Sequence, residues 1–385
     1  MEMIPFNKPY ISGKELQYIE DAVASGKLSG NGKYTQLSQA FFQERYGIKK
    51  ALLTTSCTDA LEMAAILIGI IPGDEVIIPS YTFVSTANAF VLRGAKIVFA
   101  DSRNDHPGLD ENHLESLITE RTKAIVPVHY AGVACDMELI MKIARENDLF
   151  VIEDAAQAID SHFINKEGAK LPLGSIGHLA TFSFHETKNI SSGEGGLLAI
   201  NDEKFIERAE IIWEKGTNRA SFFRGEVNKY GWVDIGSSFL PSEITAAFLW
   251  SQLEHLSEIQ NKRLEIWKRY DKNLKDKLET FGIKTPIIPN HGENNAHMYY
   301  IIAKDGNHRD YLLKKMKSSG FLAVFHYLSL HKSEFFEGLH DGRNLPMTEL
   351  YSDRLIRLPF FVELSMDQVD LICKKLIEII EEYAH

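Results

Sequence analysis

Short apolar runs separated by helical spacers fill the first half of the chain. Glu75-Val-Ile-Ile78, Lys96-Ile-Val-Phe-Ala100, Ala124-Ile-Val-Pro-Val128 and Leu149-Phe-Val-Ile152 are apolar on consecutive positions rather than on alternate ones. Strands read this way when both of their faces are covered. Leu52-Leu53, Thr181-Phe-Ser-Phe184 and Leu197-Leu-Ala-Ile200 extend the set. Helical spacers lie between them: Ala60 to Ile68, a small-residue helix ending at Phe90, and Glu203 to Glu214. The pattern predicts an α/β fold with a mostly parallel central sheet and helices on both faces. Two helices precede it. One runs from Ser12 to about Ser25, with Ser12 as N-cap, Glu15 completing a capping box and Gly26 ending it. The other covers 35–46 and stops at Gly47.

The pattern changes in the second half. Gly216 to Pro241 is polar, aromatic and glycine-bearing, and reads as a long functional loop. A long amphipathic helix follows from Ser242 to Leu278, bent near Leu256. Then come a strand over Ala296–Ile302, a helix over His308–Ser319, a strand over Leu322–Tyr327 and a terminal helix over Met366–Glu382. The expected division is a large domain over 1–255, N-terminal arm included, and a small α+β domain over 256–385.

Composition narrows the function. The 385 residues carry a net charge of −11, which disfavours nucleic acid or an anionic membrane as a partner. No apolar run reaches the ~18 residues of a membrane span. Cys57, Cys135 and Cys373 have no metal or disulfide spacing, and the first residues lack a signal-peptide pattern. A cytoplasmic protein without metal is expected. No G-x-G-x-x-G follows an early strand, so a Rossmann-type oxidoreductase is excluded.

The chemistry gathers around Ala180-Thr-Phe-Ser-Phe-His-Glu-Thr-Lys188-Asn and Ile190-Ser-Ser-Gly-Glu-Gly-Gly196. Phe182 and Phe184 fall on one strand face, Thr181, Ser183 and His185 on the other. Gly193, Gly195 and Gly196 are expected to supply positive φ and close approach to a ligand. A lysine held between buried strands becomes a nucleophilic amine, although most lysines are surface groups. Ser56-Cys57-Thr58 opens a helix, which makes either an anion site or a plain N-cap. Phe83 follows one strand. Asp154 and Gln157 follow another, and Asp154 alone reads equally as a helix cap. Pyridoxal 5′-phosphate asks for all of these together: helix N–H groups for its phosphate, an aromatic face, a carboxylate for its ring nitrogen and a lysine for its aldehyde.

These residues also carry a family resemblance. TSCTDALEMAA from Thr55, PGDEVIIPSYTFVSTANA from Pro72, VIEDAAQA from Val151 and SFHETKN from Ser183 resemble the DegT/DnrJ/EryC1/StrS sugar aminotransferases, of fold-type I architecture. Within that family, VPVHYAGVACDM from Val126, EKGTNRASFFRGEVNKY from Glu214, DIGSSFLPSE from Asp234 and NAHMYYI from Asn295 resemble the branch forming dTDP-4-amino-4,6-dideoxygalactose in enterobacterial common antigen synthesis. The resemblance implies that Lys188 is the Schiff-base lysine and proton carrier. It implies that Asp154 pairs with the pyridine nitrogen, Gln157 with the ring hydroxyl, and that Phe83 stacks on the ring. Cys57, Thr58 and Ser183 would bind the phosphate. A GxNxR pattern commonly brings an asparagine from a second subunit to the phosphate; here Ser238 stands at the asparagine position, where its hydroxyl can still donate, and Leu240 replaces the arginine. His185 matches relatives that aminate C-4 of the sugar, or else it caps a turn. The implied reaction moves an amino group from L-glutamate to a dTDP-linked 4-keto-6-deoxy sugar in a cytoplasmic homodimer serving surface-polysaccharide synthesis. A transaminase for another keto-deoxy nucleotide sugar, or a non-catalytic regulatory homologue, stays open.

Overall fold

The computed structural model describes residues 3–384. In chain order, helices α1 (Glu15–Ala24) and α2 (Lys33–Tyr46) lead to strand β1 (Lys50–Thr54) and helix α3 (Cys57–Leu67). Then come β2 (Glu75–Pro79), α4 (Val84–Val91), β3 (Lys96–Ala100), β4 (Thr122–Ile125), α5 (Met137–Glu146) and β5 (Phe150–Asp154). A hairpin of β6 (His162–Ile164) and β7 (Lys170–Pro172) precedes β8 (Leu179–Ser183) and β9 (Gly196–Ile200). Helices α6 (Ile206–Trp213), α7 (Arg219–Phe223), α8 (Glu243–Glu254) and α9 (Leu256–Glu279) follow. The chain ends with β10 (Tyr300–Ile302), α10 (Gly306–Ser318), α11 (Pro346–Arg354), β11 (Leu355–Arg357) and α12 (Met366–Ala384).

Seven strands make one sheet in the order β1-β9-β8-β5-β4-β2-β3. Only β9 runs against its neighbours; the other six are parallel. Apolar clusters cover both faces, which is why the strands read as continuous apolar runs. Phe182 and Phe184 pack into one cluster beside Phe42 and Tyr46, and Leu52, Ile78 and Phe99 into the other. A third cluster joins Ile4 to residues from Ile266 to Ile380. No helix of the described residues is long and apolar enough to cross a membrane.

Several expectations shift. Ser12 is not an N-cap: α1 starts after Lys14, and the Ser12 hydroxyl is taken by Ser251. Half of the predicted box survives, since the Ser12 N–H donates to Glu15 Oε1 at 2.6 Å. Helix α3 begins at Cys57 rather than Ala60, capped by Ser56, whose hydroxyl accepts from the Asp59 N–H at 3.0 Å. Pro127 cannot donate to a ladder, and β4 stops at Ile125 with a single further bridge between Val128 and Asp154. The 296–302 strand is reduced to Tyr300–Ile302. The 322–327 strand does not form: Val324 alone bridges to Arg357. The bend near Leu256 is a full break at His255 between α8 and α9. The 216–241 segment carries the short helix α7 and a bridge from Thr217 to Trp232.

Helix α2 has no cap of its own, because Gly32 precedes it. Glu243, buried in the first turn of α8, supplies one from a distance. Its Oε1 accepts from the Gly32 N–H (2.9 Å) and its Oε2 from the Tyr34 N–H (2.8 Å). A Cβ at position 32 would overlap that carboxylate.

Candidate active site

The site lies past the carboxyl ends of β5 and β8, where side-chain chemistry collects in parallel sheets. Helix α3 aims its N-terminus there. Its first two amides, on Cys57 and Thr58, have no partner among the described residues, as the start of a helix leaves them. Gly196 makes the approach possible. It sits between Thr54 on β1 and Ser183 on β8, and a Cβ there would overlap the Ser56 carbonyl and the Cys57 amide. Of the three glycines expected to take positive φ, only Gly193 does (φ 79°). The role of Gly196 is clearance against α3, not backbone freedom.

Strand β8 divides its two faces as the alternation predicts. Phe182 and Phe184 enter the core, while Thr181 and Ser183 lie on the opposite face. The Thr181 hydroxyl is buried with no partner, beside Cys57. Burial pushes the Cys57 thiol up to about 12, and the nearby Asp154 charge adds to the shift. The Thr58 hydroxyl donates to Ser85 Oγ at 2.8 Å, which draws α3 and α4 together.

Asp154 is buried at the end of β5. Its Oδ2 accepts from the Thr86 hydroxyl at 2.7 Å and its Oδ1 from the Ala156 N–H at 3.2 Å. The segment after it is a turn, not a helix, so Asp154 is no helix cap. Gln157 is held at both ends of its amide: Oε1 accepts from the Ala131 N–H (2.7 Å), and Nε2 donates to Tyr327 Oη (2.9 Å). Tyr327 stacks on His326 at 3.6 Å between ring centroids, and its ring lies 6.2 Å from that of Phe83. Phe83 caps α4 and is 56 % exposed, an aromatic face open to the cleft.

Lys188 lies in the turn after β8, its N–H bonded to the His185 carbonyl at 2.9 Å. Its amine has no ion-pair partner among the described residues. Burial holds it below an ordinary lysine; Cys57 and Asp154 oppose that shift, and the Arg357 charge reinforces it. His185 does cap this turn: its Nδ1 accepts from the Thr187 N–H at 3.3 Å and meets the Thr187 hydroxyl at 2.9 Å. His129, another strand-end residue, belongs to a buried pair with Glu153 at 2.9 Å, whose carboxylate also accepts from the Gly174, Ile176 and Gly177 amides.

Cys57, Asp154 and Lys188 lie near enough for their charges to act on one another, Gln157 and Phe83 join them through Tyr327, and Ser183 stands opposite Gly196 at the end of β8. Ser238 does not join them. It is exposed on the 216–241 segment, bridged by its backbone to Glu214, while the adjacent Phe239 carbonyl accepts from the Thr55 N–H at 3.0 Å. Sequence reasoning missed Thr86, Thr181, Tyr327 and Arg357. Thr86 had a signal, three positions past Phe83 in the helix that follows the strand. Among the described residues no cluster of metal-ligating side chains occurs.

The donor set fits pyridoxal phosphate. Two free helix amides and nearby hydroxyls suit a phosphate, an open aromatic face suits a ring, a buried carboxylate suits its nitrogen, and an unpaired depressed amine suits an aldehyde.

Comparison with known proteins agrees. The model of the DegT/DnrJ/EryC1/StrS aminotransferase family matches residues 9–377. The spore coat polysaccharide biosynthesis protein SpsC of Bacillus subtilis is 32% identical, with 98% of this chain and 97% of that one covered. Helicobacter pylori PseC, an aminotransferase involved in pseudoaminic acid biosynthesis, superposes with a TM-score of 0.88 at 27% identity, covering 99% of this chain and 100% of that one. Spr1654 of Streptococcus pneumoniae in its PLP form gives 0.87 at 25% identity, with 99% of each chain covered.

Proposed function

Since the chain belongs to the DegT/DnrJ/EryC1/StrS aminotransferase family, whose cofactor is pyridoxal 5′-phosphate, we propose that it moves an amino group from L-glutamate to C-4 of dTDP-4-keto-6-deoxy-D-glucose. The product is dTDP-4-amino-4,6-dideoxy-D-galactose, with 2-oxoglutarate released. The observation that carries the aminotransferase reading is the Lys188 amine, unpaired and depressed by burial, in one cleft with Asp154 and the free amides of α3. The choice of C-4 and of the galacto product rests on the SFHETKN and VPVHYAGVACDM motifs.

When bound, the cofactor supplies an aldehyde that accepts the amino group and a ring that withdraws electrons. The protein does the rest. The Cys57 and Thr58 amides, with the Thr58 and Ser183 hydroxyls, hold the phosphate. Asp154 keeps a proton on the ring nitrogen, and Thr86 fixes that carboxylate. Gln157, clamped by Ala131 and Tyr327, presents its remaining N–H to the ring hydroxyl. Phe83 covers the ring and excludes water. Lys188 Nζ, whose charged form burial disfavours, takes a proton from the donor's α-carbon and returns it to the sugar carbon. His185 caps that turn, and its match to relatives that aminate C-4 supports a role toward the sugar.

We assign residues 1–255 to the cofactor-binding domain and 256–385 to the small domain; the separate apolar cluster of the C-terminal half supports this. A second copy completes the site. Phe223 (70 % exposed), Tyr230 (56 %) and Trp232 (82 %) on the 216–241 segment support a homodimer, with Ser238 reaching the partner's cofactor phosphate. Three free cysteines support a cytoplasmic setting.

The test is a product assay with dTDP-4-keto-6-deoxy-D-glucose and L-glutamate, the product's configuration read by NMR. The galacto 4-amino sugar is expected; a gluco product, amination at C-3 or no turnover contradicts the reading.

A further inference from the structure

Asn189, the residue after Lys188, is buried, and both ends of its amide are engaged. Its Nδ2 donates to Gln260 Oε1 on α9 at 2.8 Å and to the Asn295 carbonyl at 3.0 Å. A backbone carbonyl only accepts, so this contact fixes which end of the amide is which. The other end, Oδ1, faces His297 Nδ1 at 2.7 Å. An amide oxygen also only accepts, so the single proton of a neutral His297 ring sits on Nδ1 and leaves Nε2 bare. The ring is neutral: burial holds it well below an ordinary histidine, and the Lys188, Arg263 and Arg357 charges push the same way. His326, the other histidine near it, is kept neutral by burial as well.

The backbone around the ring is closely held. The His297 N–H donates to Asn295 Oδ1 (3.0 Å), and its carbonyl accepts from Arg263 Nη2 (2.7 Å). Asn295 Nδ2 ties the Gln157 and Ile159 carbonyls at 2.7 and 2.9 Å. Ala296, between them, takes a left-handed φ of 51°, which persists only where neighbours over-determine it. Of the side-chain polar atoms of Asn189 and His297, only His297 Nε2 makes no hydrogen bond among the described residues. The charge acting most strongly on the ring is that of Lys188.

We propose that His297 is a positioning residue for Lys188: its bare Nε2 accepts one N–H of the Lys188 amine and so aims the amine's lone pair at the carbon that gives up its proton. The inference rests on the transaminase reading, in which Lys188 carries that proton. A neutral amine on a four-carbon stem rotates freely unless an acceptor holds one of its N–H groups. A charged histidine cannot serve, because both of its nitrogens donate. Asn189 acts through His297 by setting the tautomer.

Two substitutions separate the ring's nitrogens. Asparagine places an amide nitrogen where His297 Nδ1 stands, and glutamine places an amide oxygen where Nε2 stands. His297→Asn thus keeps the bond to Asn189 and lacks the acceptor, whereas His297→Gln does the reverse. Single-turnover absorbance with glutamate deuterated at its α-carbon follows proton removal. His297→Asn should slow this step about 10-fold, the scale of one hydrogen bond, with half-saturating glutamate unchanged, and His297→Gln should stay within about 3-fold of wild type. Asn189→Ala leaves the ring in place but frees its tautomer. It should slow the step as His297→Asn does, and the double variant should lose no more than either alone. A second readout needs no cofactor. Competitive labelling of the cofactor-free protein with dinitrofluorobenzene, followed by peptide mapping, gives the pKa of Lys188. Losing an acceptor disfavours the charged amine, so Lys188 should titrate lower in His297→Asn than in wild type and be unchanged in His297→Gln. Proton removal kept in His297→Asn and lost in His297→Gln would make the ring a clamp only, and a Lys188 pKa unmoved by His297→Asn would mean that the two groups do not touch; either result overturns the proposal. A wild-type enzyme that takes an amino group from no donor overturns the transaminase reading, while the labelling result still decides the contact between His297 and Lys188.

Discussion

The Thr86 hydroxyl donates to Asp154 Oδ2 at 2.7 Å and so fixes the carboxylate at the end of β5 from the side of α4. Thr82 Oγ1 lies 2.9 Å from Thr86 Oγ1 and extends the chain of hydrogen bonds. A carboxylate that must keep a proton on a ring nitrogen gains from being unable to rotate. Thr86→Val keeps the shape and removes the donor. It should lower kcat about 10-fold, the value of one hydrogen bond to a charged group, while changing cofactor affinity less. Thr86→Ser should retain most activity. Asp154→Asn should lose far more in kcat than in cofactor binding, since the phosphate contacts remain. Equal kcat in Thr86→Val and wild type would remove Thr86 from the account.

Burial lowers the Lys188 pKa from 10.5, so the folded, cofactor-free protein binds fewer protons than the unfolded chain over the window just below 10.5. Stability therefore rises with pH through that window, and the cost of the buried amine is fully present below the folded pKa. Lys188→Met should make the cofactor-free protein more stable than wild type near neutral pH, with the advantage shrinking as pH approaches 10.5. Urea unfolding at several pH values measures this. A difference that stays constant with pH would place the amine in water.

Burial drives His106 from 6.5 to about 3. Its Nδ1 accepts from the Gly108 N–H at 2.9 Å, so the neutral ring is the one that fits. The unfolded chain takes up a proton here that the folded chain refuses, and stability is lost as pH falls from 6.5 toward 3. At about pH 5, His106→Gln should unfold with roughly one proton less taken up than wild type. An identical pH slope for the two proteins would contradict the assignment.

Glu243 holds the start of α2 through the Gly32 and Tyr34 amides and Thr35. Glu243→Ala leaves these buried donors unpaired and opens a cavity. It should cost about 3 kcal/mol of unfolding free energy. A loss below about 1 kcal/mol in urea titrations would mean that water replaces the carboxylate.

What the sequence could reveal follows the range of the forces involved. The sheet strands were legible because double-sided burial leaves a local signature, and Lys188, Asp154, Phe83 and Gln157 sit at strand ends or turns that such a pattern marks. Ser12 misled because its hydroxyl answers to Ser251, more than two hundred residues away. The α2 cap was invisible for the same reason: a glycine stands before the helix, and the cap comes from Glu243. Leu322–Tyr327 opens as an apolar run that reads like a strand, yet the edge it faces is short, and His326 and Tyr327 turn toward Tyr130 and Gln157.

The central claim is that Lys188 carries the cofactor. Purified protein loaded with pyridoxal phosphate should absorb in the visible, and L-glutamate should discharge that band. Borohydride reduction followed by peptide mapping should place the cofactor on Lys188, with Lys188→Ala folded but unlabelled. A label on any other lysine, or a visible band that glutamate leaves unchanged, would contradict the account.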